Sequence, residues 1–548
     1  MAQDAPLPPS RRTVFGPVML LAALLSAALV WISTPGGVST SPDAWNYFAA
    51  ARNLLAGEGF TRYNGEPFVL WPPLFPLLIA ALLGLSDLVG QTLHLLDALR
   101  LAHLIAAAGT VMVAGMLLRR LLRSAWLAAL ATLAVALGYP LIYVASFAWS
   151  EPLFVLLCLG CLAALDRARQ NPTARAVSIA ALLAALASLQ RYTGAVLIAV
   201  GGLWLLLDQV ASLRQRLRRA VVFTMAAAAP LALWLVYNQA RAGTMTGERG
   251  PSTRPLYANL RAVYDLTLAW LTPEGLRPDD RLGSLIVVGL IGAALLIVIV
   301  RQRGRALAAL AALRWLPLAL FGVFYAGFVV ISASRVQFDP IDERLLAPLY
   351  VPVIGLTFVA LDRLLGRLRQ HQRGRAVAWL GNALAMLWLF YPVGRLQDNL
   401  STLQDISRAS QATYEMWRYS DLVRTVRAHP PAGQVLTNAP LHLLVQTGVP
   451  VRAVPETLDG WEPLVREAKG QPLTVVWFDP IARCDWGRRH CVTTDYTVEM
   501  LAAQFALKAV TVTYDGGIYT VGRASEHVMG SQKGGTAPML VVAPGSRE

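Results

Sequence analysis

The sequence predicts a polytopic α-helical membrane protein with a small α/β domain towards its C-terminal end. Three observations carry this reading. Hydrophobic residues make up 55% of the 548 and charged residues 15%, at a mean hydropathy of +0.49. Soluble chains carry about 25% charged residues. Apolar runs recur as far as about residue 394, many near the roughly 20 residues that a bilayer-spanning helix needs. The formal net charge is nevertheless +15, and it is almost all arginine, because Lys469, Lys508 and Lys533 are the only lysines. Basicity of this size points to nucleic acid, an acidic membrane surface or the orientation bias of a membrane protein. Four cysteines are too few for a disulfide scaffold or a zinc array.

In chain order, eleven spans are expected, at 13–33, 99–118, 124–144, 151–166, 176–189, 193–207, 220–238, 283–300, 308–332, 344–361 and 376–394. The stretch from Trp71 to Leu85, WPPLFPLLIAALLGL, is apolar but short, with three prolines near its start. It reads as a helix lying at or re-entering the interface. Charge supports leaving it out of the count. The Arg-rich links 119–123, 166–175, 208–219, 301–305 and 362–375 then share one side with Arg11 and Arg12. Counting it would place RRLLR (119–123) opposite the N-terminus. The excess of Lys and Arg in cytoplasmic links therefore puts residues 1–12 in the cytoplasm and the C-terminal domain outside, in a cell membrane. The first apolar run is as long as a span and has no clear small-residue cleavage site, so it reads as an uncleaved helix.

Distribution accounts for the charge. Residues 1–12 and the five links hold twenty Arg and four acids, or +16; residues 395–548 are neutral; the remainder is −1. The basicity is an orientation signal, and no nucleic-acid partner is expected.

Three longer pieces lie outside: 34–98, 239–282 and the chain beyond about 395. Within 395–524 the apolar runs shorten, as in QVLTN (434–438), VRAVP (451–455), LTVVWFD (473–479) and LKAVTVTYDGGIYTV (507–521). Helical patterns alternate with them at 410–427, 439–446, 459–469 and 496–506, which reads as a small α/β domain. Asp515-Gly516-Gly517 is a hairpin signal. Residues 525–548 are expected to be a disordered tail.

In the first outer piece, SPDAWNYFAAARNLLAGEGF (41–60) reads as a helix capped by Ser41 or Asp43 and ended at Gly57. Trp45, Phe48 and Leu55 suit the membrane interface. Capping alone would explain Asp43. It would also hold a carboxylate rigidly at the membrane surface.

An Asp just past the first span, then Tyr47 followed by ARNLLAGEGF, then WPPLFPL, resembles the GT-C superfamily of membrane glycosyltransferases. These include the lipid A aminoarabinose transferases and the protein O-mannosyltransferases. SFAWSEPLF (146–154), SLQRYTG (188–194) and DERLLAPLYVP (342–352) fit the same resemblance, which covers about residues 13–360, with TNAPLHLLVQTG (437–448) a weaker likeness. It implies a GT-C-like fold across 13–394, horizontal helices in the 34–98 loop, and a soluble outer domain. It also implies a polyprenyl-phosphate sugar donor, membrane lipids as surroundings, and a hydroxyl acceptor on lipid, glycan or protein in the cell envelope. Transfer would invert the sugar, by analogy with the family.

Asp43 is then the candidate base. Glu151 opens a span at its outer end, where a helix dipole alone would explain an acid; it is also a candidate to hold a metal or the acceptor. Arg191 either snorkels or holds the donor phosphate by forked hydrogen bonds. Asp339, Asp342, Glu343 and Arg344 crowd the outer end of another span. A local salt bridge would explain them, while the resemblance gives Arg344 a place beside the lipid phosphate. RAGTMTGERGPSTR (241–254) is either a plain connecting loop or an anion-binding one, with Arg249 and Arg254 as candidates. Many relatives have two adjacent acids after the first span, whereas Asp43 is followed by Ala44 and Trp45. A second acid must come from Glu58, Glu66, Glu151 or the 339–343 group. Divalent cations act in some members of the family, so a metal is a candidate cofactor, with Asp43 and Glu151 its candidate ligands.

Cys484 and Cys491, in ARCDWGRRHC, read as an outer-side disulfide, with zinc binding alongside His490 the alternative. Cys158 and Cys161 read as packing residues. There is no Walker loop, HExxH motif or GxSxG elbow, and GEG (57–59) follows no strand. Three other functions compete. A transporter or flippase calls for paired charges inside spans or broken-helix repeats. A polysaccharide polymerase or ligase calls for an Arg-bearing outer loop between late spans. A sensor would work through the outer domain alone.

Overall fold

The computed structural model describes residues 12–88, 95–207, 211–273, 314–370, 372–468, 473–479 and 494–522. The expected span 283–300, the start of 308–332, most of the segment 1–12, the Cys484–Cys491 pairing and the tail 525–548 lie outside the described residues. The chain forms two compact units, Met1–Met416 and Trp417–Glu548.

The first unit is helical throughout. Its helices are α1 (Arg12–Ser33), α2 (Pro42–Leu55), α3 (Leu74–Leu88), α4 (Leu95–Leu121), α5 (Ala125–Ala136), α6 (Tyr139–Ala145), α7 (Glu151–Gln170), α8 (Ala174–Gln190), α9 (Ala195–Leu206), α10 (Leu213–Ala242), α11 (Leu256–Leu271), α12 (Leu316–Arg335), α13 (Glu343–Leu368), α14 (Gln372–Trp388) and α15 (Phe390–Arg418), the last reaching just into the second unit. Among the described residues, seven helical segments are long and apolar enough to cross a membrane: Phe15–Ser33, Leu95–Leu121, Ala125–Ala145, Leu213–Ala242, Leu316–Arg335, Glu343–Leu368 and Gly374–Arg418. Leu74–Ser86, Ala174–Gln190 and Tyr192–Leu206 are apolar but shorter. Outward faces carry bare apolar side chains such as Leu21, Ile105, Leu233 and Val236. That pattern suits lipid and would be an aggregation hazard in water.

Lipid gives helices no hydrophobic reason to associate, so close packing through small residues holds such bundles together. Helix α8 turns Ala180, Ala181, Ala184 and Ala187 inwards, all buried, alongside α7. On α9, a Cβ at Gly201 would lie 2.3 Å from Phe223 Cζ of α10.

Two features depart from the pattern expected for 124–144 and 239–282. The first is a break after α5 at Gly138, ahead of Pro140 at the start of α6. Tyr350 of α13 fills the break and donates its hydroxyl to the Ala134 carbonyl at 3.0 Å. The second is that 239–282 is not one loop. Helix α10 runs on to Ala242, and α11 buries Asn259, Ala269 and Trp270.

The second unit is the expected α/β fold. Helix α16 (Asp421–Ala428) is capped by Ser420. Then come β1 (Gln434–Thr437), α17 (Pro440–Thr447), β2 (Arg452–Ala453), α18 (Trp461–Glu467), β3 (Leu473–Phe478), α19 (Val498–Gln504), β4 (Ala506–Thr513) and β5 (Gly516–Gly522). The strand order is β2-β1-β3-β5-β4. β1 pairs parallel with β2 and β3, while β5 is antiparallel to both β3 and β4. Leu436, Val475, Trp477, Trp461 and Leu501 build its core. Asp515 fixes the β4–β5 turn to α16 by accepting from the Leu422 N–H at 3.1 Å and from Ser420 Oγ.

Candidate active site

Four charged side chains from four parts of the chain converge at one end of the helical unit. Backbone pairing brings the first two together. The segment before α2 lies beside the segment before α7, with the Ser39 N–H donating to the Ser146 carbonyl and the Ala148 N–H to the Ser39 carbonyl, each at 2.8 Å. Asp43 in the first turn of α2 and Glu151 at the start of α7 are thereby held on adjacent elements. Ser41, not Asp43, caps α2, accepting from the Ala44 N–H at 3.3 Å. The Asp43 carboxylate is left for another partner.

That partner is Arg344. Its Nη2 lies 2.6 Å from Asp43 Oδ2, and its Nε lies 2.6 Å from Glu151 Oε1. Arg191, just past α8, approaches the same Glu151 oxygen with Nη1 at 2.5 Å. The four groups form a chain of alternating sign. Glu151 is its buried centre at 1% exposure, while the Asp43 side chain remains 23% exposed. Burying a carboxylate is costly unless it is paired and hydrogen-bonded, and here two guanidiniums share it. Ser150 adds further contacts, donating to Glu151 Oε2 at 3.2 Å and accepting from Arg191 at 3.1 Å. Gln190 in turn donates to the Ser150 carbonyl at 2.9 Å.

Aromatic residues form the walls. The Arg344 guanidinium lies over the Trp149 ring, 4.1 Å from its centroid, and the Trp149 indole N–H donates to Ser41 Oγ at 2.7 Å. One tryptophan thus ties the cap of α2 to the arginine of α13. Tyr47 of α2 is buried beside the cluster. Its hydroxyl has no hydrogen bond among the described residues. Burial, then the Asp43 and Glu151 charges, pushes its pKa up. Phe68, Trp71 and Phe75 pack edge-on around it at 5.1–6.2 Å.

The remaining sequence candidates divide. Arg249 is exposed, lies over the Phe338 ring at 4.8 Å, and is within electrostatic reach of Asp43 and Asp339. Arg254 is exposed too, in the loop that carries the Pro251–Val336 bridge, and its N–H donates to Ser252 Oγ. Glu66 pairs with Arg62 at 3.0 Å, and Glu58 is exposed on the turn after α2. Of the expected sources of a second acid, Glu151 is the one joined to Asp43 through a shared arginine. The 339–344 group is not a local salt bridge. Asp342 caps α13, accepting from the Leu345 N–H at 3.0 Å, and burial raises its pKa. Glu343 pairs with Arg395 and accepts from the Trp270 indole at 2.7 Å. Arg344 crosses to the cluster.

The metal expectation meets this geometry directly. Among the described residues no group of three or more His, Cys, Asp or Glu is placed to hold an ion. The two carboxylates offered as ligands are both engaged by Arg344.

A bundle of apolar helices with a charged cluster where α2, α7, α8 and α13 meet defines a polytopic membrane protein, and its fold is the GT-C fold. ArnT from Cupriavidus metallidurans bound to undecaprenyl phosphate is similar at a TM-score of 0.56, with 16% identity over 91% of this chain and 97% of that one. The apo state of ArnT gives the same score at 18% identity, with the same coverage. The arabinofuranosyltransferase AftD from Mycobacteria gives 0.50 at 17% identity, over 93% of this chain and 40% of that one. No protein-family model and no curated protein matches the sequence.

Proposed function

We propose that the protein is an integral-membrane glycosyltransferase that moves a sugar from a polyprenyl-phosphate carrier to a hydroxyl acceptor on the extracytoplasmic face. The observation that carries this reading is the Asp43–Arg344–Glu151–Arg191 chain. The likeness to ArnT bound to undecaprenyl phosphate and to the arabinofuranosyltransferase AftD supports it from outside.

The proposed reaction has two requirements. The acceptor hydroxyl must lose its proton as its oxygen attacks the anomeric carbon. The carbon–oxygen bond to the phosphate must break, with the electron pair leaving on the phosphate. Asp43 is the proton acceptor, since it is the partly exposed carboxylate of the cluster. Arg344 stabilises the departing phosphate, and Arg191 and Arg249 add positive charge. Attack from the face opposite the phosphate inverts the sugar.

The Asp43–Arg344 pair adds a coupling. A carboxylate held by a guanidinium is a poor base. An incoming donor phosphate competes for Arg344, draws Nη2 from Asp43, and leaves the carboxylate free to accept a proton. Glu151, paired with both arginines, keeps Arg344 in place during that exchange. Base strength thus rises when donor is bound.

Asp43→Asn is expected to cut transfer by about 10²–10⁴-fold, the usual range for loss of a general base, with expression and helix content unchanged. Purified wild-type and variant protein compared on a radiolabelled polyprenyl-phosphate sugar checks it. Full activity in the variant removes Asp43 from the mechanism.

A further inference from the structure

A second site lies at the far end of α13. From Arg344 to Arg369, just past the helix, the chain climbs about 38 Å at ~1.5 Å per residue. That exceeds the ~30 Å hydrocarbon thickness of a bilayer, so the two ends belong to opposite membrane surfaces. At this end a cavity of about 680 Å³ is lined by Ser124, Trp126, Arg369, Arg375, Trp379 and Asn382. Small-molecule sites span roughly 300–1,000 Å³.

The lining is built from three elements. Ser124 caps α5 and accepts from the Leu127 N–H at 3.3 Å. Arg369 ends α13. Helix α14 then starts so close to α13 that a Cβ at Gly374 would lie 1.9 Å from the Leu368 carbonyl oxygen. This tight turn sets Arg369 and Arg375 on the same cavity. Neither forms an ion pair among the described residues. The nearby acid, Asp362, is buried and accepts from the Arg123 and Ser124 N–H groups at 2.8 and 3.2 Å. Trp126 and Trp379 stand exposed at the rim. Asn382 is 8% exposed; its amide N–H donates to the Ala378 carbonyl at 2.7 Å, and its Oδ1 has no partner.

We infer that this cavity binds an anionic glycerophospholipid whose headgroup carries a hydroxyl. Arg369 and Arg375 take the phosphate, forked guanidiniums being suited to it. Asn382 Oδ1 accepts from the headgroup hydroxyl. Trp126 and Trp379 flank the glycerol and first methylenes, as tryptophans do at membrane interfaces. This inference rests on the helical unit alone and stands apart from the sugar-transfer reading.

Native mass spectrometry of the full-length protein, released from micelles containing phosphatidylglycerol or phosphatidylcholine, tests it. Phosphatidylglycerol is expected to be retained at least about tenfold more than phosphatidylcholine, and that preference to vanish in the Arg369→Gln, Arg375→Gln double variant. The charge-matched pair Arg214→Gln, Arg218→Gln, on exposed α10 positions of the same Arg-rich set, is expected to keep it. Equal retention by the first double variant, or equal loss in the second, overturns the site. Displacement of the lipid by millimolar glycerol 3-phosphate would make a free phosphate ester the occupant and overturn the lipid assignment.

Discussion

Arg344 touches two carboxylates and a tryptophan face, and its replacement separates charge from geometry. A lysine at this position keeps the charge, but its single ammonium cannot fork between Asp43 and Glu151. Arg344→Lys is expected to lower kcat/KM for the lipid-linked donor by roughly 10²–10³-fold, the scale of losing one stabilising donor, with acceptor KM unchanged. Steady-state kinetics with the donor varied checks this; unchanged donor KM and kcat would place the phosphate elsewhere. The sequence made Asp43, Glu151, Arg191 and Arg344 legible because charge at the end of an apolar helix stands out. It did not reveal Tyr47 or Trp149 as site walls, since aromatic residues near a membrane surface are already explained by interfacial anchoring. The Glu343–Arg395 pair was hidden by the separation of 52 residues between its members. Arg254 looked as good as Arg249, and it is Arg249 that lies within electrostatic reach of Asp43.

At the scale of elements, the α5–α6 break is where α13 packs in through Tyr350. Gly138 lets the Tyr350 ring approach so closely that a Cβ would lie 2.2 Å from Tyr350 Cε1. Gly138→Ala is therefore expected to destabilise the protein by about 1–3 kcal/mol, the usual cost of overpacking. Thermal unfolding in detergent, by circular dichroism, measures it; an unchanged midpoint would show that Tyr350 moves freely and that the break is not rigid. Hydropathy located the long helices well, because twenty apolar residues leave few alternatives. It gave no separate sign of the break, since Gly and Pro are common in membrane helices. It also left α11 unassigned, because Leu256–Leu271 mixes Arg261 and Asp265 into its apolar pattern. In the second unit, strands and helices fall close to their expected places, as alternating short runs leave little freedom once a sheet must be covered.

For the whole molecule, the arginine distribution implies an orientation, which labelling reads directly. On a cysteine-free background, Glu58→Cys is expected to react with a membrane-impermeant maleimide in intact cells, and Arg214→Cys only after permeabilisation. The reverse pattern would turn the protein over and remove the extracytoplasmic reaction. The central claim, transfer of a sugar from a polyprenyl phosphate, is tested most directly by incubating the purified protein with radiolabelled polyprenyl-phosphate sugars and a membrane extract. The expected result is label in a new lipid, glycan or protein product together with one released polyprenyl phosphate per sugar moved. Absence of transfer from every donor, by protein shown to be folded, would contradict it.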